Sequence, residues 1–319
     1  MVVRAKNPES VEMRKVYAKT MMELAEHDTR VVALDADLAN PIGMIPFQKK
    51  FPERMVDCGI MEANMMGVAA GMSARGMIPF THTFACFQSR KCIDQLFLSA
   101  GFADLNVKMI GSDPGILALY NGASHMGLED MGILQNVPNL TLLEVSDAVM
   151  LESLIRQVKD IYGLHYIRMN RKNAATIYDP ATKFEIGKGI VLEEGLDVTI
   201  ISSGMMVEQA LEAAQILRAE GISARVVDMF TWQPIDQALI LESAEKTGAI
   251  VTAENHRIVS GLGSAVARVL AENRPTPVGY VGIEQVYGEV GSLPYLMERF
   301  HLTAQDIAAK ARETIARKK

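Results

Sequence analysis

The sequence predicts an α/β protein of two doubly wound domains, the first built on a parallel sheet and the second smaller. Three observations support this fold class. Short apolar runs alternate with amphipathic stretches through the first half of the chain, a pattern typical of a parallel sheet with helices on both faces. Residues 172–188 are polar and lack sustained periodicity, which indicates a linker. After this segment a second, shorter alternation begins.

The first domain is assigned to residues 1–180. Asp147 stands directly before its last helix and is placed to cap that helix, because an Asp side chain can accept from the unpaired N–H groups of a first turn. The strands are predicted at 30–37, 77–84, 105–113, 140–147 and 164–170, and the helices at 10–26, 62–75, 85–103 and 148–159.

The second domain is assigned to residues 190–319. Its final segment is amphipathic and follows Thr303, which is placed to cap a last helix. The other elements are strands at 197–204, 223–230, 249–255 and 278–283 and helices at 205–220, 236–247 and 263–273.

Composition excludes several classes of protein. The formal net charge of -6 argues against a nucleic-acid-binding protein, which needs a concentrated basic face. No apolar stretch reaches the roughly 18 residues that span a bilayer, and the N-terminus has no apolar core of the signal-peptide kind. The three cysteines fit neither a disulfide framework nor a zinc site. We therefore expect a soluble cytoplasmic protein that binds neither membrane nor nucleic acid.

A single carboxylate, Glu62, opens an otherwise small and apolar run, residues 59–71. Phe84 and Phe87 follow three residues apart. An acid beside paired aromatic rings can exchange a proton at the edge of a flat heteroaromatic ring while the ring is held by stacking. An apolar surrounding would help Glu62 to share that proton. Taken alone, Glu62 also fits a helix start stabilised by the helix dipole, and the two rings also fit a hydrophobic core.

His125 and two arginines are the other candidates for chemistry. His125 follows a glycine-containing loop, before a helix predicted to start near Gly127, and could donate a proton to a developing oxyanion or simply be exposed. Arg171 follows a strand at its carboxyl end, where ligands of open α/β sheets bind. Arg14 lies in the first helix. Each arginine could bind an anionic group or be an ordinary surface residue.

These segments together resemble the C-terminal half of transketolase, a thiamine diphosphate enzyme. They fall in the family's order and cover nearly the whole chain, at 14–18, 33–41, 59–71, 79–95, 121–139, 166–178 and 252–266.

The resemblance implies roles for individual residues. The first domain would bind the aminopyrimidine ring of thiamine diphosphate, with Glu62 activating the cofactor and Met61, Phe84 and Phe87 contacting it. His125 would contact reacting hydroxyl groups of the sugar. The positions of Arg14 and Arg171 match arginines that hold the substrate phosphate.

One expected motif is missing. The family binds the cofactor's diphosphate through Mg²⁺ with a Gly-Asp-Gly motif and a later Asn, and the chain contains no Gly-Asp-Gly. The resemblance therefore implies the C-terminal subunit of a split transketolase, with no metal ligand of its own. A separate N-terminal subunit would supply the diphosphate and Mg²⁺ site, in an assembly with two copies of each chain.

The substrate side departs from the family's pattern. Asp113 stands where a His is usual, Pro41 where a Ser contacts phosphate, Asn121 where an Asp is usual, and His82 where a small residue is common. Asp113 would repel a phosphate held at that position. We therefore expect Asp113, His82 and Asn121 to help select an unusual ketose phosphate or a sulfonated ketose.

Three other interpretations remain. The beta subunit of the decarboxylating component of a 2-oxo acid dehydrogenase has the same two domains and also needs a partner, although the segments around His125 and Arg171 favour transketolase. A deoxyxylulose phosphate synthase half is disfavoured because its domains normally share one chain. A non-catalytic regulatory paralogue is disfavoured by the intact Glu62, Phe84, Phe87 and His125.

Overall fold

The computed structural model describes residues 11–318, and it confirms the five strands predicted in the first half. In chain order this half contains α1 (Met13–His27), β1 (Val31–Asp35), α2 (Ile45–Lys50), β2 (Met55–Asp57), α3 (Glu62–Ala74), β3 (Ile78–Phe84), α4 (Ala85–Arg90), α5 (Ile93–Gln95), β4 (Lys108–Ser112), α6 (Asp130–Leu134), β5 (Thr141–Glu144), α7 (Ala148–Asp160) and β6 (His165–Met169). The strand β2 was not predicted, since three residues are too few to show an alternation.

Two helix predictions in this half were wrong. The helix expected at 85–103 is broken into α4, α5 and a π turn over Leu96–Gly101. The break falls at Lys91 and Cys92, whose side chains both bond to Glu62. The helix expected near Gly127 begins only at Asp130, because Gly127 forms a bridge with Pro114 and its backbone oxygen accepts from the N–H of Gly115.

The second half shows the predicted alternation with additional short elements. It contains β7 (Ile190–Glu193), β8 (Val198–Ser202), α8 (Met206–Ala219), β9 (Ala224–Asp228), β10 (Thr231–Gln233), α9 (Gln237–Thr247), β11 (Ile250–Arg257), α10 (Leu262–Asn273), β12 (Val278–Ile283), α11 (Leu293–Arg299) and α12 (Ala304–Ile315). Both predicted caps are confirmed. The Asp147 side chain accepts from the N–H of Met150 at 2.9 Å, and Thr303 forms a capping box with Asp306.

The two sheets are mostly parallel. The first has the order β10-β5-β6-β4-β3-β1-β2, and the second has the order β12-β11-β8-β9-β7. Each contains one antiparallel pair, of β10 with β5 and of β7 with β9. The strand β10 follows β9 of the second sheet in the chain but joins the first sheet, which the sequence did not predict. The two halves are therefore joined through a sheet edge.

The hydrophobic core covers both faces of both sheets. One apolar cluster includes residues of α1, α7, α8 and α12, and the other includes residues of α3, α9 and α10. Residues 172–188 form neither helix nor strand, yet Ile177, Tyr178 and Phe184 are buried in the first cluster. Across residues 11–318 we find no helix with the length and hydrophobicity needed to span a membrane.

Candidate active site at the carboxyl edge of the first sheet

Four neighbouring parallel strands of the first sheet end at the same edge. The strands β1, β3, β4 and β6 lie side by side and carry Asp35, Phe84, Ser112 and the segment leading to Arg171 at their carboxyl ends. Since parallel strands bring these ends together, polar side chains distant in sequence meet here. All the predicted site residues lie on these strand ends or on the helices and loops that follow or pack against them.

Glu62 is the first residue of α3, and its side chain is buried, with the residue 3% exposed. The prediction of an apolar surrounding was wrong in one respect. Lys91 Nζ lies 2.9 and 3.1 Å from the two carboxylate oxygens of Glu62. Met61 and Ile60, immediately before Glu62, are 60% and 71% exposed. The Glu62 carboxylate is thus buried and paired with an ammonium group, next to the solvent-exposed apolar side chains of Ile60 and Met61.

The structure brings the predicted aromatic residues together with His125. The rings of Phe84 and Phe87 meet edge to face with centroids 6.0 Å apart, and the His125 ring lies 5.5 and 5.1 Å from them. Lys91 Nζ stands 4.3 Å from the centroid of the Phe87 ring. Glu62, Phe84, Phe87, Lys91 and His125 are called the ring cluster below.

His125 is poised as a neutral imidazole. Burial lowers its pKa, and the positive charges of Lys91 and Arg90 lower it further. Its Nδ1 lies 2.8 Å from the hydroxyl oxygen of Ser124. A neutral imidazole can accept a hydrogen bond at one nitrogen and donate at the other. Asn121 is exposed at the end of a 3₁₀ turn in the same loop.

A second group of charged side chains lies where α1 meets the segment after β6. The N–H of Arg14 donates to the backbone oxygen of Arg171 at 3.1 Å. Glu12 pairs with both Arg14, at 2.7 Å, and Lys172, at 3.0 Å. Asp113 accepts from the Nε and, at 3.1 Å, the backbone N–H of Arg171. Glu12, Arg14, Asp113, Arg171 and Lys172 are called the tail cluster.

The tail cluster changes the interpretation of Asp113. The sequence predicted that Asp113 would repel a phosphate held at its position, and the structure adds that Asp113 is an ion-pair partner of Arg171. The Arg171 guanidinium also lies 4.8 Å from the centroid of the Phe84 ring and so connects the two clusters. Glu12 and Lys172 were missed, because a surface-type Glu and Lys show no pattern that would single them out.

His82 lies behind these clusters and is 2% exposed. Its ring nitrogens face Asp35 Oδ2 at 3.4 Å and the Ser112 hydroxyl at 3.1 Å. Burial lowers the pKa of His82, although the nearby Asp35 carboxylate opposes this effect. His82 is therefore a buried neutral residue that links the ends of β1 and β4 through Asp35 and Ser112.

Arg168 anchors the loop that carries His125 and was not predicted as a site residue. It is completely buried and pairs with Asp130 and Glu144. Its Nη2 donates to the backbone oxygens of Gly127, at 3.2 Å, and Asn255, at 2.9 Å. One guanidinium therefore fixes the segment following His125 against the second half of the chain.

Comparisons with known proteins agree with this architecture. Residues 9–176 match the family model "Transketolase, pyrimidine binding domain", and residues 187–307 match "Transketolase, C-terminal domain". The chain is 46% identical to the 6-deoxy-6-sulfo-D-fructose transketolase subunit SqwH of Clostridium sp. (strain MSTE9), over 96% of this chain and 95% of that protein. It is 32% identical to one of the subunits of the apulose-4-phosphate transketolase of Phocaeicola vulgatus, over 96% and 98% of the two chains.

A solved structure described as a split gene transketolase, inactive beta4 tetramer, superposes with a TM-score of 0.89. It is 41% identical to this chain, and the match covers 98% of this chain and all of that one. The chain belongs to the transketolase family. It is the C-terminal subunit of a split transketolase, a transferase that depends on thiamine diphosphate. The relatives do not favour a dehydrogenase subunit or a regulatory paralogue.

Proposed function

We propose that this chain forms the aminopyrimidine side of a thiamine diphosphate site through Glu62, Met61, Phe84 and Phe87. The observation that carries the proposal is the buried Glu62 carboxylate beside the edge-to-face rings of Phe84 and Phe87. A carboxylate can hold or move a proton at a ring nitrogen, and the aromatic side chains can pack on the ring. We assign this role to residues 1–180 and a supporting role to residues 190–319.

The reaction would transfer a two-carbon ketol unit from an anionic ketose to an aldose. When bound, the cofactor supplies the carbanion-stabilising chemistry. His125, neutral and half-buried, would exchange hydrogen bonds with hydroxyl groups of the sugar. Arg14 and Arg171 would bind the anionic end of the substrate. Asp113, His82 and Asn121 would shape the space that the sugar occupies.

A separate N-terminal subunit would hold the diphosphate and Mg²⁺. One observation supports this partner. The exposed Ile60 and Met61 next to Glu62 offer an apolar surface for a subunit that closes over the ring cluster. We propose an assembly with two copies of each subunit.

The test is ketol transfer by the chain reconstituted with its partner, thiamine diphosphate and Mg²⁺. Anionic ketoses serve as donors with an aldehyde acceptor, and 2-oxo acids with an artificial electron acceptor are assayed in parallel. We expect ketol transfer, and we expect Glu62→Gln to lower kcat by about 10²- to 10⁴-fold while the subunits still assemble in size-exclusion chromatography.

Glu26→Gln is the matched control, because Glu26 also forms an ion pair with a lysine, Lys50, but lies at the other end of α1 from Arg14. It should leave kcat unchanged. Full activity of Glu62→Gln would remove the role of Glu62 in cofactor activation. Oxidative decarboxylation without ketol transfer would overturn the proposed reaction.

A further inference from the structure

Every cation of the tail cluster already has a carboxylate partner within this chain. Glu12 is shared between Arg14 and Lys172, and Asp113 binds Arg171 through both a side-chain and a backbone N–H. The third nitrogen of the Arg14 guanidinium, Nη1, donates to the backbone oxygen of Pro41 at 3.0 Å. A substrate anion entering this cluster therefore meets arginines that are largely neutralised.

The cluster contains little surplus positive charge. Its three cations, Arg14, Arg171 and Lys172, face two carboxylates, so at most one net positive charge remains. The deeper His82 adds no positive charge, because burial lowers its pKa and keeps the imidazole neutral.

The number of charges on the substrate tail should then decide how well it binds. A phosphate monoester carries roughly -1.5 to -2 charges near pH 7, whereas a sulfonate carries one. The second charge of a phosphate would lie close to Glu12 and Asp113, whose side chains are only 19% and 5% exposed, so solvent screens the repulsion poorly. Moving Glu12 aside would break two ion pairs.

We propose that Glu12 and Asp113 make the tail cluster selective for ketoses with a singly charged tail, such as a sulfonate, over the corresponding phosphates. This inference rests on the proposed function. The two carboxylates act as counter-charges that are already in place, and they leave the arginines able to bind one negative charge but not two. The relatives' names do not decide the matter, since one contains a sulfo sugar and the other a phosphate.

The experiment compares kcat/KM for a 6-sulfonated ketose and the same ketose with a 6-phosphate, in the reconstituted complex. We expect the wild type to prefer the sulfonate by at least about tenfold. Glu12→Gln and Asp113→Asn each remove one negative charge and nearly keep the side-chain shape. Each should shift the ratio toward the phosphate by about tenfold, and the double variant should shift it further.

Asn suits position 113, because the backbone there is left-handed, with φ of 49°, and Asn tolerates that conformation. Glu26→Gln is the control. It removes a carboxylate from the last turn of α1, far from Glu12 at the start of that helix, and should leave the ratio unchanged. Equal or better use of the phosphate by the wild type would overturn the inference, and so would a ratio that neither variant moves. Ketol transfer from other anionic ketoses but from neither of these two donors would also overturn the inference, whereas no ketol transfer from any anionic ketose would overturn the proposed function.

Discussion

The carboxyl edges of the two sheets differ in exposure, since one reaches solvent and the other is packed against the rest of the chain. In the first sheet, the ends of β1, β3, β4 and β6 carry the ring and tail clusters, with Met61, Lys91 and Lys172 reaching solvent. In the second sheet, the ends of β8, β9 and β11 are packed against the first half and closed. The same architecture thus forms an open site on one sheet and an internal joint on the other.

The ends of β8, β9 and β11 each bond to a residue of the first half. After β8, Ser203 donates to Glu144, and at the end of β9, Asp228 accepts from Ser146 at 2.7 Å. On β11, the side-chain amide of Asn255 donates to the backbone oxygen of Pro114 at 3.0 Å. These hydrogen bonds lie inside the protein, although Asp228 Oδ1 is buried without a hydrogen-bond partner in the described residues.

The difference shows that the position of a strand end does not by itself make a binding site. What matters is whether its polar groups have already found partners on a neighbouring domain. At the first edge, the Glu62 carboxylate pairs with the half-exposed Lys91, which a ligand can displace. At the second edge, the pairs are buried, and breaking them costs folding energy.

Among the predictions, replacing Arg168 should cause the largest loss of stability at the closed edge. Arg168→Met would leave Asp130 and Glu144 buried without their cation, and we expect a loss of about 3–5 kcal/mol in the free energy of unfolding. Urea denaturation of the isolated chain measures it.

Arg225→Met is the matched control for Arg168→Met. Arg225 is equally buried, but its partners Glu194 and Glu242 are more than half exposed and can regain water. The cost should therefore be clearly smaller. Equal costs for the two variants would mean that the buried carboxylates at the joint are not the source of its stability.

Glu254, on β11, should give the closed edge a pH dependence. Burial raises the pKa of Glu254 from 4.5 to about 8, although the backbone N–H groups of Gly263 and Leu262 oppose this. A carboxyl group with a raised pKa in the folded state takes up a proton on folding. Its stabilising contribution is therefore complete below pH 4.5 and is lost as the pH rises to about 8.

We expect Glu254→Gln to flatten this dependence. Between pH 5.5 and 7.5, the free energy of unfolding of the wild type should fall more steeply than that of the variant, by up to about 1.4 kcal/mol per pH unit. Urea titrations at both pH values measure the slopes. Glu272→Gln, on the exposed face of α10, should retain the wild-type slope. Parallel slopes for wild type and Glu254→Gln would contradict the prediction.

The smallest effect concerns Lys91 at the open edge. If a ligand must displace Lys91 from Glu62, Lys91→Met should tighten thiamine diphosphate binding to the reconstituted complex by about two- to fivefold, the worth of a half-exposed ion pair. Calorimetric titration with the cofactor measures the dissociation constant.

Lys50→Met provides the control for Lys91→Met. Lys50 also pairs with a glutamate and lies 5.5 Å from the centroid of an aromatic ring, that of Phe51, so the two lysines share the same kind of environment. Its removal should leave cofactor affinity unchanged. Weaker binding by Lys91→Met would show instead that Lys91 helps to hold the cofactor.

Local features of the fold were predictable from sequence, and distant pairings were not. The caps at Asp147 and Thr303 were found because a cap depends on residues only a few positions away. Residue type and position singled out Glu62, Phe84, Phe87, His125 and Arg171 as candidates, and the family resemblance then implied a role for each. It could not show that Lys91 reaches Glu62 or that Glu12 bridges Arg14 and Lys172, since such ion pairs depend on side-chain directions in the folded chain.

The strand β10 has a consequence for protein engineering. A gene cut within residues 172–188 would appear to separate two independent modules. It would instead strip an edge strand from β5, deprive Glu144 of Ser203, and expose an unpaired sheet edge that invites aggregation. Fusion proteins and circular permutants should therefore keep the two halves of the chain together as one folding unit.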